Sequence, residues 1–113
     1  MRYRLAVLLV SLLVLPSCAG ETSIQERVRV DDVAYRELAG GARILTGRVT
    51  NLTDTDIPVL QLQVSLFDER NYRNGTMPVV IHNIPADSFR TFREPVRSDA
   101  DIRSARVRTV LIP

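Results

Sequence analysis

The sequence predicts an all-β protein, a single antiparallel β-sandwich of six or seven short strands behind an apolar N-terminal leader. Three observations carry this. Apolar and polar residues alternate with period two in several segments, and no segment sustains a 3.6-residue period. Turn signals recur at short intervals, at Gly40-Gly41, Asn51 to Pro58, Asn74-Gly75 and Pro85. The 113-residue chain has one cysteine, so no internal disulfide can staple the fold and packing must hold it.

The leader opens with Arg2 and Arg4, followed by an apolar run from Leu5 to Leu15 interrupted only by Ser11. That length fits a signal peptide and is too short for a membrane-spanning helix. Positive charge ahead of it favours keeping the N-terminus in the cytoplasm. Pro16 breaks the helix before the lone Cys18. Leu15-Pro16-Ser17-Cys18 resembles the lipobox of bacterial lipoproteins, with a small residue just before the cysteine. The resemblance implies that 1–17 is a cleaved signal peptide and that the Cys18 thiol carries diacylglycerol. The body would then lie outside the cytoplasm, anchored to the cell membrane by several acyl chains. By resemblance to the lipoprotein sorting rule of Gram-negative envelopes, Ala19 rather than Asp after the cysteine implies the outer membrane, periplasmic face, if the cell is Gram-negative. An ordinary secretory leader is the alternative, and it leaves Cys18 as an odd free thiol. Residues 18–26 read as the lipidated Cys and a short polar tether, and 27–113 as the domain.

Cleavage after Ser17 changes the charge balance. Fifteen basic residues, all arginine, stand against 13 acidic ones. Removing Arg2 and Arg4 leaves 13 of each and no net charge, so the basic precursor is no argument for nucleic-acid binding.

The strands follow in order. Val28 and Val30 alternate with Arg27 and Arg29 in a first short strand. Val33 and Tyr35 alternate with Asp32, Ala34 and Arg36 in a second. Gly40-Gly41 turns the chain into a strand from Arg43 to Asn51, with Leu45, Gly47 and Val49 on one face. Tyr35 joins that face only if the loop holds an odd number of residues, so a three-residue connection with a bulge at a glycine is expected. Val59 to Asp68 gives the clearest strand: Leu60, Leu62, Val64 and Leu66 point inward, and Gln61, Gln63 and Ser65 outward. Asp68 to Gly75 reads as a turn ending in Asn74-Gly75. Met77 to Ile81 is a strand that Pro78 assigns to an edge. After the Ile84-Pro85-Ala86-Asp87 corner, Ser88 to Glu94 carries a buried Phe89 or Phe92. Ile102 to Ile112 is the last strand, carrying Val107, Leu111 and their neighbours.

Three segments, in order over 43–93, resemble the FxLYD family of extracytoplasmic domains. Gly47-Arg48-Val49-Thr50-Asn51 is similar to its Gly-x-Val-x-Asn. Val64-Ser65-Leu66-Phe67-Asp68 stands where the family reads Phe-x-Leu-Tyr-Asp, with Leu66 and Asp68 matching and Phe67 in place of Tyr. Ile84-Pro85-Ala86-Asp87-Ser88-Phe89 is similar to a Leu-x-Pro-Gly corner before a Phe-bearing strand, without the glycine. Small envelope lipoproteins of the YcfL-like type share this pattern. The resemblance implies an immunoglobulin-like sandwich serving as a binding or spacer module, with no common ligand. Read as residues, Gly47, Asn51 and Asp68 have structural roles: close packing, a loop bond and a turn cap.

Reaction chemistry is sparse. His82 is the only histidine, and no nucleophile-elbow glycines accompany a serine. One His and a lipidated Cys make no zinc set. Asp54-Thr55-Asp56 and Asp99-Ala100-Asp101 lack the spaced oxygens of a calcium loop and read as solvated loop acids. No catalytic residue, metal or cofactor is expected. Arg90, Arg93, Arg97, Arg103, Arg106 and Arg108 crowd the last quarter. On neighbouring strands they would form a basic surface for anionic headgroups, phosphates or an acidic partner, or a solvated face with weak cross-strand ion pairs. The expectation is a non-enzymatic envelope lipoprotein whose sandwich binds a protein or cell-wall partner, with strand addition at an exposed edge as one route. The alternative is an assembly accessory without a specific ligand.

Overall fold

Six strands follow one helical turn in the computed structural model, which describes residues 24–113. The turn is Ile24–Arg27. The strands are β1 Val28–Glu37, β2 Arg43–Asn51, β3 Ile57–Phe67, β4 Arg73–Ile84, β5 Phe89–Pro95 and β6 Ser104–Leu111. They form two three-stranded antiparallel sheets, ordered β1-β2-β5 and β4-β3-β6. β1 lies over β6, and β5 lies over β4. The predicted sandwich is therefore the observed one. Cys18 and the leader lie outside the described residues.

The middle strands supply the core because their alternation is cleanest. Leu45 and Val49 of β2 are fully buried, as are Leu60, Leu62, Val64 and Leu66 of β3. Val28, Ile57, Val79, Ile81, Ile84, Phe92, Val96 and Ile102 complete the cluster. Ser65, expected on the wet face, is buried as well. Its cross-strand partner is Arg106, whose guanidinium lies 4.0 Å from the Phe67 ring centroid. The long side chain thus lies across the outer face beside Ser65.

The outer strands depart from the sequence reading through bulges. The two strands expected at Val28 and at Val33 are one strand. Asp32 and Val33 together oppose Gly47, and Asp32 takes a φ of 54°. The extra residue switches the alternation from even to odd, so Val28 and Val30, then Val33 and Tyr35, all pack against the core. β6 repeats the device. Arg108 is the extra residue between Gln63↔Thr109 and Val64↔Val107. The inward set changes from Ala105 and Val107 to Val110 and Ile112. Leu111 is therefore exposed, and Ile102, the expected first residue of the strand, is buried but precedes it.

Turn chemistry accounts for the other differences. Leu38 N–H donates to Ala42 O, and Gly41 N–H to Leu38 O, which encloses Ala39-Gly40-Gly41 as a three-residue connection. Gly40 and Gly41 have φ of 94° and 91°, values that glycine adopts without strain. The ladder shift falls at Asp32-Val33 rather than at a glycine. Asn74-Gly75 is not a turn. The chain reverses earlier, at Asp68 to Tyr72, and β4 already includes Asn74 and Gly75. Asp68 Oδ1 accepts from the Arg70 and Tyr72 amides there, a local cap that makes the later signal redundant. Pro78 does lie on an edge strand, and of the two candidate phenylalanines Phe92 is the buried one.

Phe92 sits directly across from Gly47 in the β2–β5 ladder. A Cβ on Gly47 would fall well inside van der Waals contact with the phenyl ring. The missing side chain is thus the space the ring occupies. Gly47→Ala should lower the unfolding free energy by about 1–3 kcal/mol through overpacking. Urea unfolding checks this, and most of the loss should disappear when Gly47→Ala is made in a Phe92→Leu background.

Candidate functional site

Cross-strand partners share a face, so the registers of β1, β2 and β5 define the outer surface of their sheet row by row. From one end the rows are Arg29, Thr50 and Phe89; Asp31, Arg48 and Thr91; Ala34, Thr46 and Arg93; Arg36, Ile44 and Pro95. Small residues fill the middle, and long or aromatic ones surround them. The result is an open groove of about 710 Å³ whose rim includes Arg36, Arg48, Phe89 and Arg93. The bulge at Asp32-Val33 forms its wall on the β1 side.

Arg48 is fixed in this groove. Its Nε donates to Asp31 Oδ1 at 3.0 Å and its Nη2 to Asp31 Oδ2 at 3.1 Å, a two-pronged pair. Asp32 adds a contact at 3.4 Å, and Arg29 approaches Asp31 at 3.7 Å. The Arg48 guanidinium carbon also lies 5.7 Å from the exposed Phe89 ring centroid, within cation–π range. Hydrogen bonds from Arg48 hold the Asp31 carboxyl below its ordinary value, and the charges of Arg48 and Arg29 add to this against partial desolvation. The Asp31 hydrogen bond in turn raises Arg48. This end of the groove is internally neutralised.

The sequence-derived residues fall in several places. Arg93 lines the groove, but the other final-quarter arginines do not assemble with it. Arg90 and Arg93 are on β5, while Arg106 and Arg108 are on β6, in the other sheet and over β1 rather than β5. Arg90 Nε donates to Asn83 O on β4, and Arg103 pairs with Asp101 at 3.3 Å. Among the described residues there is accordingly no single basic stripe, because β5 and β6 occupy opposite edges of the sandwich. The family-motif positions other than Phe89, which is exposed at the groove, are architectural. Val49 and Leu66 are in the core, Pro85 is at the corner, Phe67 ends β3 and Asp68 follows it.

Asn51 is the most tightly held of them, fully buried at 0 % exposure. Its Nδ2 donates to Thr55 O and Ile84 O, and its Oδ1 accepts from the Thr53 amide and hydroxyl. Both amide protons and both carbonyl lone pairs are satisfied. Asp31, Asp32, Arg36 and Arg48 were not singled out from the sequence. Alternation alone puts Arg36 and Arg48 on an outer face, but only the register of three strands brings them to one groove.

The Asp31–Arg48 pair has a pH signature. A carboxyl whose folded pKa lies below its unfolded value stabilises the fold above the unfolded pKa, and this is lost as pH falls through the folded one. An NMR titration should show the Asp31 carboxyl protonating below the ordinary aspartate range, and Arg48→Gln should move it back up. An unshifted Asp31 would remove the pair as a constraint on the groove.

Comparison of the chain with protein-family models, with curated proteins and with solved structures finds no match.

Proposed function

We propose that the protein is a membrane-anchored extracytoplasmic lipoprotein, tethered through Cys18, whose sandwich is a binding module for a protein or cell-envelope partner. The observation that carries the reading is the lone cysteine after a small residue at the end of a basic-then-apolar leader. The resemblance to FxLYD domains supports an extracytoplasmic module and adds no ligand. Nine residues lie between Cys18 and the start of β1, the last four of them in the Ile24–Arg27 turn, so the tether reaches less than about 35 Å. The body stands close to the lipid surface, with the Asn51–Asp56 loop and the Pro85 corner at the end nearest the anchor.

The form of the domain favours recognition by a face rather than by an edge. β1 and β6 carry bulges, β4 carries Pro78 and a register shift, and β5 is short and ends in Pro95. Bulges, prolines and charges are the devices that keep a sheet edge from accepting another strand. The open face of the β1-β2-β5 sheet presents the groove instead.

Intact mass and membrane fractionation of the full-length chain test the anchor. The expected product begins at Cys18, is heavier by its acyl groups and sediments with membranes, whereas Cys18→Ala does not. An unmodified soluble product from the wild-type chain would overturn the reading.

A further inference from the structure

Two guanidiniums in the groove have no acid to answer them. Arg36 and Arg93 stand on the outer face one row apart, on the two outer strands flanking β2. Both are exposed and line the groove, and neither has an ion-pair partner among the described residues. The opposite end is different, since Arg48 is taken up by Asp31 and Asp32. The groove thus runs from a cationic end to an end where the Asp32 side chain, 73 % exposed, is the outermost charge. Phe89, 55 % exposed, stands on β5 four residues before Arg93, about 13 Å along the strand.

We propose that this groove docks an extended segment of a protein partner, which places a carboxylate between Arg36 and Arg93 and an apolar side chain against Phe89. The proposal rests on the reading of the domain as a binding module and not on the anchor at Cys18. Four residues of extended chain cover the distance from the arginines to Phe89, and an even spacing keeps both side chains on one side. The small floor of Ala34, Thr46 and Thr91 leaves room for a backbone, and the two threonine hydroxyls can bond to it. Guanidinium forks match a carboxylate in geometry as well as charge. A uniform polyanion fits less well, because past the two arginines its charges would meet an end already neutralised by its own ion pairs and the exposed Phe89 ring. A discrete acid followed by an apolar group meets complementary chemistry at both ends.

The test uses the full chain in detergent and a short fluorescein-labelled peptide, rich in Ser and Thr, with one Glu and a Leu four residues after it. Fluorescence anisotropy at low salt should show binding. Replacing the Glu of the peptide by Gln, or making Arg36→Gln with Arg93→Gln, should weaken it at least about fivefold, roughly 1 kcal/mol of contact. Phe89→Ala should weaken it too, but should not affect a peptide whose Leu is replaced by Ala. Arg108→Gln, on the other sheet, should leave binding unchanged, and thermal unfolding of each variant should match wild type. Equal binding of the Glu and Gln peptides, indifference to the Arg36 and Arg93 substitutions, or no binding would overturn the proposal. So would a polyphosphate that binds tighter than the peptide and loses its affinity in the same variants, since that would make the groove a polyanion site. Failure of Cys18 acylation would leave this result standing, and failure here would leave the anchor standing.

Discussion

The end of β2 is where the two sheets are tied, and one amide side chain ties them. Asn51 closes the β1-β2-β5 sheet, yet its Nδ2 donates to the last carbonyl of β4 in the other sheet. Its backbone N–H donates to Ser88 O, just ahead of β5. Its Oδ1 organises the Thr53 turn that carries the chain across to β3. A buried amide costs free energy unless every donor and acceptor is matched, so it tolerates only one arrangement of its surroundings. The loop after β2, the end of β4 and the corner before β5 are all specified at this point. The registers that place Arg93 beside Thr46, and Thr91 beside Arg48, follow from where β5 begins.

Packing does the rest. With no cysteine among the described residues to cross-link the sheets, the apolar contact between them must be continuous. Gly47 and Phe92 keep it so, the ring filling what a side chain on β2 would have taken. Burial then leaves the outer faces free of structural duty. The outer face of the β1-β2-β5 sheet is accordingly where charge can be arranged for recognition, with Arg48 held by Asp31 and with Arg36 and Arg93 left open.

The strands that were legible in the sequence are those buried on one face only. β2 and β3 alternate without interruption, so their inward residues were read correctly. β1 reads as two strands because it contains one extra residue that reverses the alternation, and periodicity is blind to a bulge, there or in β6, until the partner strand is known. The Asn74-Gly75 signal misled because Asp68 had already closed a turn, and local propensity yields to tertiary pairing. The groove was not legible at all. Its residues come from two consecutive strands and a third that follows only after β3 and β4, and only the register puts Arg36, Arg48 and Arg93 on one face. The basic stripe failed on the same ground, since β5 and β6, consecutive along the chain, lie in different sheets.

The claim on which this account most depends is that Asn51 specifies how the sheets join. Equilibrium urea unfolding of Asn51→Ala beside Leu52→Ala, its exposed neighbour, tests it directly. Loss of the amide leaves the Ile84 carbonyl buried and unmatched, so Asn51→Ala should cost about 2–4 kcal/mol while Leu52→Ala stays within about 0.5 kcal/mol. Equal, small effects of the two substitutions would contradict the account and place the junction of the sheets in apolar packing alone.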